Sequence, residues 1–441
     1  MRLSLTLLAL ALGVSGTAQA ADLMRVYDLA LENDATYRAS QYARDAAVQT
    51  RPLARAALLP QVNGAYNYGE STESGTESFQ GQPEVPVDRD SSSTTLSVTL
   101  NQSIFNWESI QRLRQSGEQV ALAETTFRAA GQDLILRVAQ AYFGVLSAAD
   151  ALRSSEAENK AVERQLEQSK RRFEVGLSAI TDVQEAQARY DLTIANVLQA
   201  QQALDMAQEA LAEITARPLD NINALQDDFP LPSPNPPDIN VWVGSARDQN
   251  LDLLISQYNR DIAGRDVGIA RARHLPTVGA SASYSDNDSD GSRFSGQSES
   301  ESFGVQVNVP IFAGGATQAG VRQAVATRSQ RESEYEGTRR FVERTTRDAY
   351  QAVVTGAARV RAFKQAVLSN ATALEASETG LEVGTRTAVD VLNAQQLLYL
   401  AERNYFQSRY DYLIAVLRLK AAAGKLTVQD LAEIDRLLVQ S

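Results

Sequence analysis

The spacing of apolar residues switches from helical to alternating and back again in each half of the chain. Alternation of apolar and polar residues predicts a strand with one apolar face, and it occurs in two paired segments, at 60–105 and at 276–312. Each predicted strand is about ten residues long, the length that crosses a bilayer when the strand is tilted. The Ser-, Gly-, Asp- and Glu-rich stretches at 71–93 and 286–300 are predicted to be long hairpin loops in solvent.

Outside the strands the apolar period is helical and the runs are long. Residues 107–174 and 314–382 each predict one uninterrupted helix, and each has nearly the combined length of the two shorter runs of its own half. A long helix antiparallel to two stacked shorter ones makes a rod of roughly 100 Å. Apolar residues every seven positions, from Val183 to Leu211 and from Val391 to Leu419, predict left-handed supercoiling. The shorter runs lie at 22–59, 182–215, 241–275 and 388–423.

The second half of the chain repeats the first at a nearly constant offset. The Ser-Gln-Tyr sequence at 40–42 recurs at 256–258, and the Val-Gly pair at 175–176 recurs at 383–384. Prolines cluster between the two copies, where a helix cannot continue. The predicted domains are a signal peptide at 1–20, a first repeat at 21–217, a Pro-rich equatorial linker at 218–240, a second repeat at 241–426 and a C-terminal segment at 427–441.

The first twenty residues have the form of a bacterial secretory signal peptide. Arg2 precedes an apolar run, Leu3 to Val14, and Ala18-Gln19-Ala20 is a small-x-small cleavage site. The apolar run is too short to span a bilayer, and no later stretch approaches about eighteen consecutive apolar residues. The sequence therefore predicts an exported mature protein without a transmembrane helix, whose membrane contact is made by strands or surface helices.

The composition excludes several classes of site. The 441 residues include one His and no Cys, so disulfides, zinc-thiolate sites and a lipidated cysteine are excluded. A net charge of −12 disfavours nucleic acid as a partner. The Asp-rich stretch at 286–291 imitates the start of an EF-hand, but Gln297 at position twelve cannot supply the bidentate carboxylate. No nucleophile elbow or phosphate loop occurs, so neither an enzyme nor a cofactor is expected.

Four amphipathic strands cannot close into a barrel, because the smallest spanning barrels have about eight. A homo-oligomer must complete the barrel, and the strand count alone allows two or three copies. A coiled coil without a pore is the alternative that helical periodicity by itself leaves open. Aromatic side chains near the strand ends are candidate interfacial residues, namely Tyr66, Tyr68, Phe105, Trp107, Tyr284, Phe303 and Phe312.

Two segments resemble a known family closely. Residues 381–392 (LEVGTRTAVDVL) and 175–183 (VGLSAITDV) are similar to the periplasmic turns of the TolC family of outer-membrane efflux and type I secretion ducts, and the resemblance extends over nearly the whole mature chain. It implies a mainly α protein with a membrane β-barrel portion. It also implies a homotrimer with four strands per protomer, a twelve-stranded barrel and a coiled-coil helical tunnel in the periplasm.

The resemblance also assigns roles to individual residues. The family's closed periplasmic end is latched by links between the turn-flanking helices, and the matching positions are Thr181, Asp182, Arg386, Gln165 and Glu378. Two departures from the family pattern occur. Leu381 stands where the family has a latch tyrosine, so one link is expected to be missing. At the narrowest constriction Asp390 matches, but Asn393 replaces a second aspartate.

Asp390 and Asn393 are three residues apart on a predicted helix and so share a face. Threefold symmetry would stack them as an acidic ring and an amide ring, which attract cations in a narrow pore. The alternative is that Asp390 only caps the helix start beside Thr387.

The partners that the resemblance implies are outer-membrane lipid and an inner-membrane ABC or RND-type transporter with its periplasmic adaptor. Polypeptides and small molecules both remain possible cargo, and an exported filament subunit without a pore is the alternative function.

Overall fold

The computed structural model describes residues 21–439 apart from 79–80, 82, 84, 220 and 292–294, so the predicted signal peptide lies outside the described residues. The helices are α1 (Leu23–Asn33), α2 (Ala35–Val48), α3 (Thr50–Ala56), α4 (Trp107–Glu174), α5 (Ile180–Thr215), α6 (Ile239–Gln249), α7 (Leu251–Ala272), α8 (Ala316–Glu382), α9 (Ala388–Ala422) and α10 (Val428–Asp435). The strands are β1 (Gln61–Glu77), β2 (Val85–Phe105), β3 (Thr277–Gly291) and β4 (Gly296–Asn308).

The chain folds into two compact units, and each takes segments from both repeats. The first unit contains the chain up to Gln41, Phe127–Asp252 and the chain from Arg339 onward. The second contains Tyr42–Thr126 and Leu253–Thr338, and therefore all four strands. The long helices α4 and α8 contribute residues to both units.

The second unit holds one antiparallel sheet in the order β1-β2-β3-β4. The register runs from Gln61↔Asn101 in the first hairpin and from Thr277↔Asn308 in the second, and β2 pairs with β3 to join the two repeats. Nearly every residue of the outer strands β1 and β4 is exposed on both faces in the single chain. The sheet is thus open, and its outer strands have no cover among the described residues.

The predicted long hairpin loops are wrong, because the strands continue through most of these stretches. Pairing in the first hairpin reaches Glu77↔Val85, and in the second it reaches Ser289↔Gly296. Polar cross-strand contacts replace the apolar face in the extensions. Both guanidinium Nη atoms of Arg89 donate to the Glu77 carboxylate at 2.7 Å. Opposed polar side chains stabilise a sheet as apolar pairs do, and apolar alternation alone could not reveal them.

The predicted interfacial aromatics do not all lie on strands. Tyr66, Tyr68 and Phe303 are strand residues that expose more than 60% of their surface. Phe105 ends β2, and Tyr284 lies within β3. The remaining two are outside the sheet: Trp107 is the first residue of α4 and Phe312 follows β4. Asp286, from the EF-hand-like stretch, also lies on β3, where it accepts hydrogen bonds from Gln297.

Both long helices form as predicted, with bounds at Trp107–Glu174 and Ala316–Glu382. The predicted single helices at 22–59 and 241–275 are wrong, because each is interrupted at an equivalent position of its repeat. Asp34 and Asn250 both adopt extended backbone, with ψ of 116° and 127°. Asp34 accepts from the Tyr37 amide at 2.6 Å and from Arg137 at 2.7 Å, and Asn250 donates to the Ala422 carbonyl. These buried polar contacts stabilise each break.

The core of the first unit forms where α4 meets α1, α9 and α10. Among the described residues, α4 contains one stretch long and apolar enough to cross a membrane by length and composition, but half of it is buried inside the protein. The apolarity of this stretch belongs to core packing. Fully buried core side chains include Leu23, Val26, Leu134, Val138, Tyr142, Tyr412, Leu417 and Leu431.

The Pro-rich linker lies against these helices and its carbonyls accept side-chain hydrogen bonds. Tyr142 donates to the Asn223 carbonyl at 2.7 Å, Tyr412 to Pro232 at 2.6 Å and Trp242 to Pro236 at 2.9 Å. Proline has no backbone N–H, so carbonyls of this segment accept hydrogen bonds from side chains of the helices instead. The linker also makes short β-bridges, Ala21↔Ile222 and Leu225↔Leu438, with the two ends of the described chain.

Candidate functional site

The two turns that follow α4 and α8 have the same backbone design. Each contains a glycine in the left-handed region, Gly176 at φ 76° and Gly384 at φ 79°. In the first turn the Leu177 amide donates to the Arg172 carbonyl at 2.7 Å, and in the second the Thr385 amide donates to Gly380 at 2.8 Å. Glycine adopts this conformation without the steric cost of a Cβ and so ends the helix. Both repeats therefore reverse direction at equivalent points.

The tips of the turns present apolar side chains to solvent. Val175, Leu177 and Val383 each expose about seven tenths of their surface, at 69%, 70% and 69%. Scattered single apolar residues on a surface are ordinary, but Val175 and Val383 occupy matching positions in the two turns. The tips are therefore a candidate contact surface.

The helices that start after the turns are capped differently. Helix α5 begins after Ala179, whose side chain makes no cap, and Asp182 lies in its first turn. Helix α9 begins after Thr387, which forms a capping box with Asp390: the Asp390 carboxylate accepts from the Thr387 amide at 2.9 Å, and the Thr387 hydroxyl accepts from the Asp390 amide at 3.2 Å. The capping role considered for Asp390 is therefore present.

Hydrogen bonds from Thr387 lower the pKa of the Asp390 carboxyl. The bond from the Thr387 backbone amide has the largest effect, the bond from its hydroxyl the next largest, and the charge of Arg386 contributes less. Such bonds stabilise the ionised form. One carboxylate oxygen of Asp390 lies 4.0 Å from the Arg386 guanidinium. A capping carboxylate held in its charged form is still able to act on ions that pass it.

The predicted latch residues do not meet within one chain. Arg386, with a 60% exposed side chain, has Asp390 of its own turn as its ion-pair partner. Among the described residues, neither Thr181 nor Asp182 makes a side-chain hydrogen bond or ion pair with Arg386. Thr181 is exposed and Asp182 half-buried. A link between these groups would have to join neighbouring copies.

The second predicted pair, Gln165 and Glu378, also makes no hydrogen bond in the described part of the chain. Gln165 is 5% exposed and its Nε2 has no hydrogen-bond partner there, whereas Glu378 is exposed. The buried Gln395 of α9 likewise has an unpartnered Oε1. Leu381, which replaces the family tyrosine, is 7% exposed and packs as an apolar residue. Unpaired buried polar groups reduce stability.

Asn393 links helices α5 and α9. Its Oδ1 accepts from the Arg189 guanidinium of α5 at 3.2 Å. Sequence reasoning missed Arg189, although it lies one heptad after Asp182 and so on the same side of α5. A small apolar cluster brings three helices together; it consists of Val162 and Leu166 of α4, Ala186 of α5 and Leu392 of α9. Asn393, one of the two predicted constriction residues, is therefore held by a contact between α5 and α9.

Further along α4 and α9 two buried carboxylates are paired with side chains of the facing helix. The Glu158 carboxylate, 4% exposed, accepts from the Arg403 guanidinium at 2.8 Å. Tyr410 donates to the Asp150 carboxylate at 2.5 Å, and burial, with that carboxylate nearby, raises the pKa of the Tyr410 hydroxyl. A buried charge pair is costly to break when one partner is lost. This stretch is held firmly, unlike the one around Gln165.

The comparisons with known proteins decide the family. The sequence profile described as "Outer membrane efflux protein" matches residues 26–217 and 242–425. The chain is a member of the outer membrane efflux protein family. It is 35% identical over 428 residues to the outer membrane protein TolC of Vibrio cholerae serotype O1, with 96% of this chain and 95% of the relative covered.

Two further matches agree with this membership. The alkaline protease secretion protein AprF of Pseudomonas aeruginosa is 32% identical over 417 residues, which cover 94% of this chain and 86% of that protein. The crystal structure of the Campylobacter jejuni CmeC outer membrane channel has the same fold, with a TM-score of 0.76 and 18% identity over 95% of this chain and 90% of the other. The predicted TolC-like fold class is confirmed.

As an outer membrane efflux protein, the chain is an outer-membrane exit duct with its helical tunnel in the periplasm. The predicted localisation is confirmed, and the alternative of a filament subunit without a pore is wrong. The exposed strands of the second unit are the part suited to lipid. The helices of the first unit carry the two turns described above.

Proposed function

We propose that three copies of this outer membrane efflux protein close one twelve-stranded barrel. The observation that carries the proposal is the open sheet: β2 and β3 are paired on both sides, whereas β1 and β4 each have one unpaired edge among the described residues. An open strand edge in lipid leaves backbone N–H and C=O groups without partners. Pairing of β4 with β1 of the next copy removes every edge, and the similarity to TolC proteins supports three copies.

The two turns form the closed periplasmic end of the duct. Arg386 of one copy links to Thr181 and Asp182 of its neighbour, and Gln165 and Glu378 make a second link. The support comes from exposure: the Arg386 side chain is 60% exposed and its own ion pair is as long as 4.0 Å. A guanidinium with five donors has capacity for a second acceptor. Threefold symmetry repeats each link three times.

Asp390 and Asn393 form the constriction of the trimer. Three carboxylates make a ring that attracts cations and repels anions in a narrow pore. The capping box fixes the carboxylate and keeps it ionised. The amide of Asn393, held by Arg189, supplies a neutral ring where the family has a second acidic one.

The duct acts passively and contributes no catalytic step. An inner-membrane ABC or RND-type transporter and its adaptor engage the periplasmic end and open it, and the exposed apolar tips at Val175, Leu177 and Val383 supply the contact surface. Cargo is selected by the transporter. The name of the relative AprF, a protease secretion protein, supports polypeptide export through a type I system.

The trimer is tested by cysteine crosslinking, since the chain has no native Cys. Asn63→Cys in β1 is combined with single cysteines scanned over 298–308 in β4, and the protein is oxidised in the outer membrane. Disulfide-linked dimers and trimers are expected at one register. As a control, the directly opposed pair Ala65→Cys and Ser97→Cys lies within one hairpin and gives monomers only. Monomers at every scanned position would refute closure between copies.

A further inference from the structure

The first described residue, Ala21, is buried and fully engaged. Its side chain and backbone are 4% exposed. Its N–H donates to the Asn221 carbonyl at 2.9 Å, and its carbonyl accepts from the Asn223 amide at 3.1 Å and from the Tyr142 hydroxyl at 3.3 Å. Ala21 is also the residue that the cleavage site at Ala18-Gln19-Ala20 makes the new amino terminus.

Two carboxylates lie close to this terminus. Asp22 caps α1 by accepting from the Arg25 amide at 2.7 Å. Asp435, the last residue of α10, accepts from the Leu23 amide at 2.8 Å and the Met24 amide at 3.4 Å, so it caps α1 from the other end of the chain. Neither carboxylate forms an ion pair with a Lys or Arg side chain within the part of the chain that the structure describes.

The ionised form of the Asp435 carboxylate is disfavoured in this position. Burial raises the pKa of the Asp435 carboxyl, and the nearby negative charge of Asp22 raises it further. Both carboxylates also contribute to raising the pKa of the Tyr142 hydroxyl, after burial, which contributes most. A site with two acids and no side-chain cation favours any positive charge placed within a few ångströms.

Cleavage after Ala20 creates such a charge. Before cleavage the nitrogen of Ala21 belongs to a neutral peptide bond, and after cleavage it is an α-ammonium with an ordinary pKa of about 7.7–8.0. It belongs to Ala21, which directly precedes Asp22, the N-cap of α1. The ammonium keeps the donor to Asn221 and gains two further donors.

We propose that leader removal is a switch built into the fold: the α-ammonium freed at Ala21 supplies the counter-charge for Asp22 and Asp435 and thereby fastens α1 to α10. The C-terminal segment from Thr427 to Leu438 also packs into the core through the buried Leu431 and Leu438, and Leu438 bridges to the linker. Asp435 is its contact with the start of α1. A precursor with an intact leader lacks the charge and holds α10 less tightly.

The test measures the α-amine itself. In the mature detergent-solubilised protein, reductive methylation with a ¹³C label at Ala21 gives the amine pKa by NMR. The expected value lies at least about one unit above the ordinary 7.7–8.0, a tenfold shift in the protonation equilibrium. Asp435→Asn keeps an oxygen acceptor for the Leu23 amide but removes the charge, and is expected to lower the amine pKa. Glu32→Gln, an exposed acid on the same helix, is the matched control and leaves it unchanged.

Hydrogen exchange gives the second readout. A protein cleaved after Gln19 begins at Ala20, so its α-ammonium lies one residue further from Asp22 and Asp435. Its α10 amides are expected to exchange several-fold faster than those of the protein that begins at Ala21. This difference disappears in Asp435→Asn. If that variant fails to fold, Asp22→Asn replaces it. An amine pKa at or below the ordinary range, or equal exchange of α10 in the two matured forms, would overturn the proposal. Neither result depends on the barrel or the gate.

Discussion

Removal of Arg386 is the most direct test of the latch. Arg386→Ser deletes a guanidinium that is exposed in one chain and leaves the Thr387–Asp390 capping box intact. Helix α9 should therefore still begin at Ala388. Trimer formation should be unchanged as well, because β1 and β4, the strands proposed to join the copies, precede α8 in the sequence whereas Arg386 follows it.

The exposure of Arg386 sets the size of the effect. A fully buried charged hydrogen bond contributes about 1.5–3 kcal/mol, but a 60% exposed side chain belongs with surface pairs, which contribute about 0.2–1 kcal/mol each. Three symmetric links then stabilise the closed end by roughly 0.6–3 kcal/mol. The closed-to-open ratio should fall by a factor between about three and 150, since 1.4 kcal/mol corresponds to a factor of ten.

Planar-bilayer recordings check this directly. Single-channel conductance and open probability should rise in Arg386→Ser, and cells should become sensitive to large antibiotics such as vancomycin. Arg344→Ser is the matched control, because Arg344 of α8 is likewise exposed and paired with an acid four residues later, at 3.1 Å. A charge swap, Asp182→Arg with Arg386→Asp, should restore the normal conductance.

Two outcomes would refute the reasoning. Equal conductance in the wild type and in Arg386→Ser, with normal trimers in both, would show that the gate is held by other groups. Failure of the charge swap to restore closure, with Arg386→Ser open, would show that Arg386 acts through Asp390 of its own turn and not through Asp182.

Three further predictions follow from other parts of the molecule. The mature protein in detergent should have the mass of a trimer, and a stable lipid-inserted monomer would contradict the barrel. The channel should be cation-selective, and Asp390→Asn should weaken that preference. The control Asp430→Asn, which removes the charge from the other capping box, should leave it unchanged. Because the pKa of Asp390 is lowered, the selectivity measured by reversal potential should persist until the pH falls below the ordinary Asp value of about 3.9. The hydrogen bond from Arg137, as the largest cause, lowers the pKa of the Asp34 carboxyl. The stabilisation from this pair is therefore present above about pH 3.9 and is lost as the pH falls through the folded pKa. Asp34→Asn should cost about 1–3 kcal/mol at pH 7, and thermal unfolding should show this cost shrinking as the pH is lowered below about 3.9.

The long helices could be predicted from the sequence because their apolar period runs without interruption between strong boundaries. Trp107–Glu174 begins just after a strand ends and stops at a glycine turn. The breaks at Asp34 and Asn250 were missed, although Asp and Asn favour helix caps and Asp34 accepts locally from the Tyr37 amide. Their extended backbone is also stabilised by partners distant in sequence, Arg137 and Ala422. These distant contacts, which reinforce the local capping preference, could not be predicted from the apolar period.

The candidate site could also be predicted only in part. The turn glycines and the Thr387–Asp390 capping box are local sequence signals and could be predicted. Arg189, which holds Asn393, and the unpaired amide of Gln165 depend on how α4, α5 and α9 pack. The links expected between Arg386, Thr181 and Asp182 involve groups that one chain keeps apart, so a single chain could not bring them together.

The length of β2 has a consequence for the outside of the cell. Its 21 residues extend about 70 Å at roughly 3.3 Å per residue, and a tilt of about 45° leaves a height of about 50 Å. The hydrocarbon layer is only about 30 Å thick. The surplus comes from the Ser-, Asp- and Arg-bearing first half of β2, whose residues 85–90 pair with β1 but not with β3. We expect it to form a hydrophilic collar that stands outside the hydrocarbon layer.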